Sequence, residues 1–384
     1  MFDDRLAQSA QILCVGKEWF PEVAGGLNRY VYELTQQLAT TQNKVELCIA
    51  GRDDSPPDSC VKLTRLAGPH DTIVRRLLRS KQAFSHRVLQ TPDAINLHFA
   101  LYSFPLLGQL PQDVPVTFTF HGPWAEESQR EGQHSLGTQV KAWMEQQVYQ
   151  RCDRFIVLSQ AFGKILHETY GIPWEKIHVI PGGVNIQRFQ PNLSRHDARK
   201  QLGFPTDRQI LFSPRRLVNR MGLDKLLTAM VQIKQQVPDI WLAIAGKGPL
   251  QSALEQQANE LELTEHVKFL GYVPDEQLPI AYQAADLTVV PSQSLEGFGL
   301  ILVESLACGT PALCTPVGGM PEVVSGLHPR LVTASADADA IASRIVEWLG
   351  GELPLPERSS CRDYACRSFD WGKIAPLVQH VLLS

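Results

Sequence analysis

The sequence predicts an α/β protein made of two doubly wound domains of similar size. Three observations lead to that architecture. Short apolar runs alternate with helical patterns along the chain, the arrangement of parallel strands joined by crossover helices. The 384 residues are enough to bury two cores. The stretch Pro181-Gly-Gly-Val-Asn-Ile-Gln-Arg-Phe-Gln-Pro191 is bounded by prolines and carries a glycine pair, so it reads as the seam between the domains.

The expected strands follow in order. Ile12–Gly16, Val45–Ile49, Val116–Phe120, Arg154–Leu158 and Val179-Ile180 precede the seam. Ile210–Phe212, Trp241–Ala245, Val267–Leu270 and Leu287–Val290 follow it. Each is a short apolar run of the kind that strands buried on both faces show. The chain has no internal repeat and no low-complexity segment.

Composition narrows the class. Hydrophobic residues make up 44% and charged residues 20%, as in an ordinary soluble globular chain. The net charge of -4 gives no global attraction to nucleic acid, so none is expected as a partner. Cysteines stand at 14, 48, 60, 152, 308, 314, 361 and 366 without a Cys-x-x-Cys pair, which argues against structural zinc. Several lie in apolar runs and read as buried free thiols. The N-terminal MFDDRLAQSA is acidic and lacks the apolar stretch of a secretory signal. No run approaches the 18 or so apolar residues that read as a membrane span. The expected compartment is cytoplasmic and reducing.

Residues 291–322, PSQSLEGFGLILVESLACGTPALCTPVGGMPE, carry the most chemical information. The strand Leu287–Val290 ends at Pro291 and Ser292. Glu296 to Gly299 form a loop, and Leu300 to Cys308 read as a helix with Gly309 as its C-terminal stop. Glu296 therefore stands at the carboxyl end of a strand, where open α/β sheets bind ligands. Glu304 stands about one turn into the helix. Bare glycine backbone can approach a phosphate or a sugar, and carboxylates accept hydrogen bonds from hydroxyls. Gly318 and Gly319 follow, before Pro321 and Glu322.

This stretch resembles the donor-site signature of retaining, nucleotide-sugar-dependent glycosyltransferases of family four, glycosyl transferases group 1, which have the GT-B fold. The resemblance implies two Rossmann-like domains facing a cleft. Residues 1–185 would form the acceptor-binding domain, joined by a C-terminal helix, 369–384, that crosses back from Phe369-Asp370-Trp371. Residues 186–368 would form the donor-binding domain. It also implies that Glu296 contacts hydroxyls of the donor sugar and that Glu304 holds the nucleotide ribose. The backbone of Gly297, Phe298, Gly299 and Leu300 would lie beside the sugar and diphosphate.

Other constellations gain roles from the same resemblance. Gly25 and Gly26, in Pro21-Glu-Val-Ala-Gly25-Gly26-Leu-Asn-Arg29, open a helix after the first strand. Their backbone amides can face an anion, and the family places this turn under the diphosphate. The pattern is not G-x-G-x-x-G, which weighs against a nicotinamide cofactor. His121, before Gly122 at the end of Val116–Phe120, would border the transferring sugar. By position rather than by resemblance, the segment from Pro123 to Ser135 is either part of the acceptor pocket or a plain surface loop, and the strand-end cluster Asp93-Ala-Ile-Asn96-Leu-His98 would shape the acceptor side. Gly246 and Gly248 of a Gly-x-Gly-Pro turn, and the loop Gly271-Tyr272-Val273, would border the nucleotide.

The segment Ser213-Pro-Arg215-Arg216-Leu-Val-Asn-Arg220-Met221-Gly222-Leu-Asp-Lys225 departs from the family. A diphosphate leaving group gains negative charge as the glycosidic bond breaks, and fixed cations stabilise it most in the transition state. The family has an Arg and, five residues later, a Lys before a Gly. Arg216 matches the Arg, but Met221 stands at the Lys position. Arg220 or Lys225 is expected to supply the missing charge.

The expected reaction moves a sugar from a nucleotide-diphosphate donor to a hydroxyl acceptor with retention of the α-configuration. No carboxylate stands out as a covalent nucleophile, so front-face displacement with the leaving phosphate as base is the expected route. No Asp-x-Asp metal site stands out, and neither metal nor other cofactor is expected. Two alternatives keep the fold: a nucleotide-sugar epimerase or phosphorylase, and, because of Met221, a non-catalytic nucleotide-sugar binding subunit. Residues 72–92 hold Arg75, Arg76, Arg79, Lys81 and Arg87 and no acid, interleaved with Ile73, Val74, Leu77, Leu78, Phe84 and Val88. This is either a helix that lies on an anionic bilayer, as a peripheral contact on the inner membrane face, or one packed on its own domain with a solvated basic face. Donor base, acceptor and oligomeric state stay open at this level.

Overall fold

A computed structural model describes residues 9–51, 60–68, 71–85, 91–130 and 136–384. The acidic residues 1–8, Arg87 and Val88 of the basic segment, and residues 131–135 of the polar loop lie outside the described residues. The chain divides into two compact units, Met1–Gly183 with Trp371–Ser384, and Val184–Asp370.

The first unit holds seven strands: β1 (Gln11–Glu18), β2 (Lys44–Ala50), β3 (Val61–Ala67), β4 (Ala94–Leu97), β5 (Val116–Phe120), β6 (Arg154–Val157) and β7 (Ile177–Val179). They form one parallel sheet in the order β3-β2-β1-β4-β5-β6-β7. The second unit holds β8 (Gln209–Pro214), β9 (Ile240–Ala245), β10 (Val267–Gly271), β11 (Leu287–Val290) and β12 (Ala312–Cys314), all parallel, in the order β10-β9-β8-β11-β12. Both are doubly wound sheets. In each, the order reverses beside the first strand, between β1 and β4 in one and between β8 and β11 in the other. Such a switch point opens a crevice at the carboxyl ends of the strands.

Each of the nine apolar runs falls on a strand. Three strands escape the apolar criterion. β4, AINL, is wholly buried but carries the polar Asn96. β3 exposes Lys62 and half-buries Thr64 and Arg65, so its sequence VKLTRLA alternates rather than running apolar. β12 has three residues, ALC, all buried. Six cysteines, 14, 48, 152, 308, 314 and 361, are buried free thiols.

The helix Trp371–Leu383 belongs to the first unit. Trp371 anchors it. The ring is 1% exposed, meets Tyr30 edge-on at 5.3 Å, and donates its indole N–H to Glu33 Oε2 at 2.6 Å. The ring lies so close to Gly183 that a Cβ there would stand 2.2 Å from it. Truncating a buried aromatic removes its transfer energy and leaves a cavity. Trp371→Ala is therefore expected to destabilise the first unit by about 3–5 kcal/mol in urea unfolding. An unchanged midpoint would contradict this packing.

Candidate functional site

In the second unit, the switch point brings together the segments that leave β8 and β11. Leaving β8, the Arg215 N–H donates to the Ala245 carbonyl at 2.8 Å, which fixes the backbone. The side chain is 8% exposed. Its Nη2 lies 2.5 Å from Ser292 Oγ and 2.5 Å from Glu296 Oε2, and the Ser292 hydroxyl stands 3.2 Å from the same carboxylate oxygen. The Met221 thioether lies against the same Nη2. Burial disfavours the charged form of Glu296. Arg215, with help from Arg220 and Ser292, outweighs that effect and holds the carboxyl below its ordinary value. Arg220 Nη1 donates to the Leu295 carbonyl at 3.3 Å. Leu295 itself has φ 51°, a left-handed conformation that costs a non-glycine residue about 1–3 kcal/mol.

Two glycines explain how these loops fit. A Cβ at Gly246 would stand 2.0 Å from the Arg215 carbonyl oxygen, and one at Gly318 would stand 1.9 Å from the Glu296 carbonyl oxygen. That Glu296 carbonyl also accepts the Gly319 N–H at 2.9 Å. The glycine turns thus clamp the backbone of the two charged residues by direct approach. Further along, the Gly246 N–H donates to the Gly271 carbonyl at 2.7 Å. Tyr272 is half exposed, with Lys247 Nζ 5.9 Å from its ring centroid, and Val273 is half-buried. Glu304 is buried on the helix Leu300–Ala307 and accepts the Tyr282 hydroxyl at 2.8 Å. Phe298 is buried edge-on to Phe369 at 5.7 Å, which leaves its turn to act through backbone. Gly299, at φ 85°, caps the helix.

The other predicted cations sit differently. Arg216 is exposed, and Lys225, on the helix Leu223–Gln236, is exposed and paired with Asp224 at 3.6 Å. One Asp-x-Asp pair does occur, Asp337 and Asp339. Asp337 caps the helix Ala338–Leu349 by accepting the Ala340 N–H at 2.8 Å, and Asp339 accepts the Gln232 amide at 2.5 Å.

In the first unit, Gly25 and Gly26 are exposed at the start of the helix Gly26–Thr40, and Gly25 has φ 151°. At the ends of β4 and β5 stand His98 and His121, with Nδ1 of the first 3.2 Å from Nε2 of the second. Burial pushes both imidazoles down, His121 to about 3 and His98 well below its ordinary value, so both are neutral near pH 7. Asn96 Oδ1 accepts the Thr119 hydroxyl at 2.9 Å behind them. After His121 the chain enters the helix Trp124–Arg130. Glu145 receives its first N–H groups, Trp124 at 2.8 Å and Ala125 at 3.4 Å, together with the Tyr170 hydroxyl at 3.1 Å. Burial pushes the Glu145 carboxyl up to about 7 despite these bonds.

The second unit thus brings Glu296 and Arg220 together, with Glu304 on the following helix, but the cation in contact with Glu296 is Arg215. Sequence reasoning gave roles to neither Arg215 nor Glu145, and it saw His98 without its bond to His121. No sequence signal separates Arg215 from Arg216: along the chain leaving β8, Ser213, Arg215 and Leu217 are buried while Arg216 is exposed.

Comparison with known proteins places these features in a family. Residues 194–367 match the model described as glycosyl transferases group 1, and residues 24–188 match that of Glycosyltransferase Family 4. The D-inositol 3-phosphate glycosyltransferase of Mycolicibacterium smegmatis is 33% identical over 377 residues, covering 91% of this chain and 84% of that protein. The structure of sucrose-phosphate synthase from Thermosynechococcus elongatus superposes with a TM-score of 0.80 at 26% identity, covering 97% and 98% of the two chains. Anabaena HepE, solved in complex with UDP-glucose, shares the fold with a TM-score of 0.78 at 18% identity, covering 97% and 99%.

The clamp on Glu296 is open to test. Gly318→Ala would place a methyl group on the Glu296 carbonyl at a positive φ, and it is expected to destabilise the protein by more than about 1 kcal/mol in urea unfolding. Unchanged stability would mean that the loop does not need the glycine.

Proposed function

This chain belongs to the family-four glycosyltransferases, glycosyl transferases group 1, with the GT-B fold, and from that membership we propose that it is a retaining enzyme that uses a nucleotide-diphosphate sugar. The acceptor is a hydroxyl compound, and the bond formed is α-glycosidic. The observation that carries the reading is the ionised Glu296 at the β8/β11 switch point, held by Arg215 and Ser292 and clamped from behind by Gly318 and Gly319. A carboxylate fixed in this way accepts hydrogen bonds from sugar hydroxyls in one orientation.

The remaining roles are those the family resemblance implies. Glu304 takes the ribose, and Gly246, Gly248, Gly271, Tyr272 and Val273 border the nucleotide. The half-exposed Tyr272 ring gives a base a surface on which to stack. Arg216 serves the diphosphate, and in the first unit the Gly25 and Gly26 amides at the start of their helix can meet an anion. His121 belongs to the acceptor side. It is neutral, so it can hydrogen-bond a hydroxyl without placing a positive charge there. In the step itself, the anomeric carbon–oxygen bond to the diphosphate breaks as the acceptor oxygen bonds to the same face. The acceptor proton passes to the departing phosphate oxygen. Glu296 already carries the Arg215 ion pair and serves as a hydrogen-bond acceptor rather than as a nucleophile.

A thermal-shift series with UDP, GDP, ADP and their sugar conjugates, without added metal, tests the donor site. One nucleotide is expected to raise the melting temperature, because a ligand at a hundred times its Kd stabilises by about 2.7 kcal/mol. Arg216→Ala is expected to lose most of that shift. No shift with any nucleotide would remove the reading.

The helix Ile73–Ser85 bears on the acceptor. Ile73, Val74 and Leu78 are 63%, 67% and 66% exposed, on the same helix as Arg75, Arg79 and Lys81, while Phe84 is buried. A helix packed by its apolar face would bury those three residues. Exposed apolar and cationic side chains together support peripheral contact with an anionic bilayer. Among the described residues no helix is long and apolar enough to cross a membrane. Sedimentation with vesicles of anionic lipid is expected to carry the protein down, and Ile73→Ser with Leu78→Ser to release it. Equal binding of wild type and double variant would exclude this helix as the contact.

A further inference from the structure

The departure at position 221 has a structural counterpart. Met221 is buried, and its thioether touches the Arg215 guanidinium, not solvent. A cation therefore stands beside position 221 although the residue there is neutral. Arg215 uses Nη2 alone for its partners: Ser292 Oγ and Glu296 Oε2 both lie on that nitrogen. Its Nε is buried and has no hydrogen-bond partner among the described residues. An unmade bond on a buried guanidinium is costly, and such donors are completed by an anion more readily than by any neutral group.

Resting on the nucleotide-sugar reading above, we propose that Arg215 takes the place of the cation missing at position 221. Through Nη2 it fixes Glu296, and through its remaining N–H groups it receives the donor diphosphate. Met221 is then the matching half of an exchange. A lysine at 221 would put a second buried cation against the guanidinium, where like charges disfavour each other in a poorly solvated site. A thioether is soft, neutral and long enough to fill that space. Arg220 has a different task, since it holds the Leu295 carbonyl next to Glu296. Lys225 lies exposed against Asp224.

The exchange predicts reciprocal behaviour in donor affinity and turnover, measured with the nucleotide sugar that stabilises the wild type. Arg215→Met should weaken donor binding at least tenfold and lower kcat about a hundredfold, the scale of one lost transition-state donor. Met221→Lys alone should also weaken binding, because it crowds two cations. The double variant should recover at least tenfold over Arg215→Met, since the lysine then stands alone beside Glu296. A structural role for Arg215 would give no such rescue. Three results would overturn the proposal: Arg215→Met binding like wild type, a double variant no better than Arg215→Met, or Met221→Lys binding more tightly than wild type. If Arg215→Met shows no melting transition, the Met221→Lys comparison decides by itself, since a missing charge predicts a gain there and the exchange predicts a loss. A wild type that binds no nucleotide sugar would instead remove the functional reading, so the two failures are distinguishable.

Discussion

A carboxylate taken out of bulk water stays ionised only if a cation and hydrogen-bond donors replace the solvent it has lost. The candidate donor site of this enzyme depends on that constraint. Glu296 cannot work as a fixed acceptor unless Arg215 reaches it, and Arg215 reaches it only because the loop after β8 lies flat against Gly246. Gly318 admits the Glu296 backbone on the other side. The glycines of this region are therefore more than flexible turns. They remove the Cβ atoms that would hold the charged loops apart.

The two units meet the same topological opportunity with different chemistry. Each is a doubly wound parallel sheet whose order reverses at one point, and each gathers polar side chains at the strand ends beside that point. The second unit places an ion pair there. The first places neutral groups, the His98–His121 pair and the Asn96–Thr119 bond. Burial depresses both imidazoles, so near neutral pH that site offers hydrogen bonds without charge. Such a division suits a donor that is anionic and an acceptor that is a hydroxyl.

Much of this was legible in the sequence. The nine apolar runs lie on strands because parallel strands buried on both faces have no polar side to interrupt them. β3 was hidden because Lys62 and Arg65 break its run, and β12 because three residues carry no period. Glu296 and Glu304 stood out by their glycine context. The partner of Glu296 did not. Arg215 and Arg216 are neighbours of one residue type, and sequence order alone does not say which guanidinium turns inward. That depends on the conformation past β8, which buries Arg215 and Leu217 and exposes Arg216. The His98–His121 bond joins residues on adjacent strands whose pairing appears only once the sheet order is known.

The most direct measurement is the titration of the Glu296 carboxyl itself, followed by carbon NMR of protein labelled at the glutamate side chains and assigned by comparison with Glu296→Gln. The account predicts a carboxyl that titrates below the ordinary glutamate value, in keeping with the ion pair to Arg215. A carboxyl that titrates at or above that value would mean that burial prevails over Arg215, and that the charged donor site described here does not form.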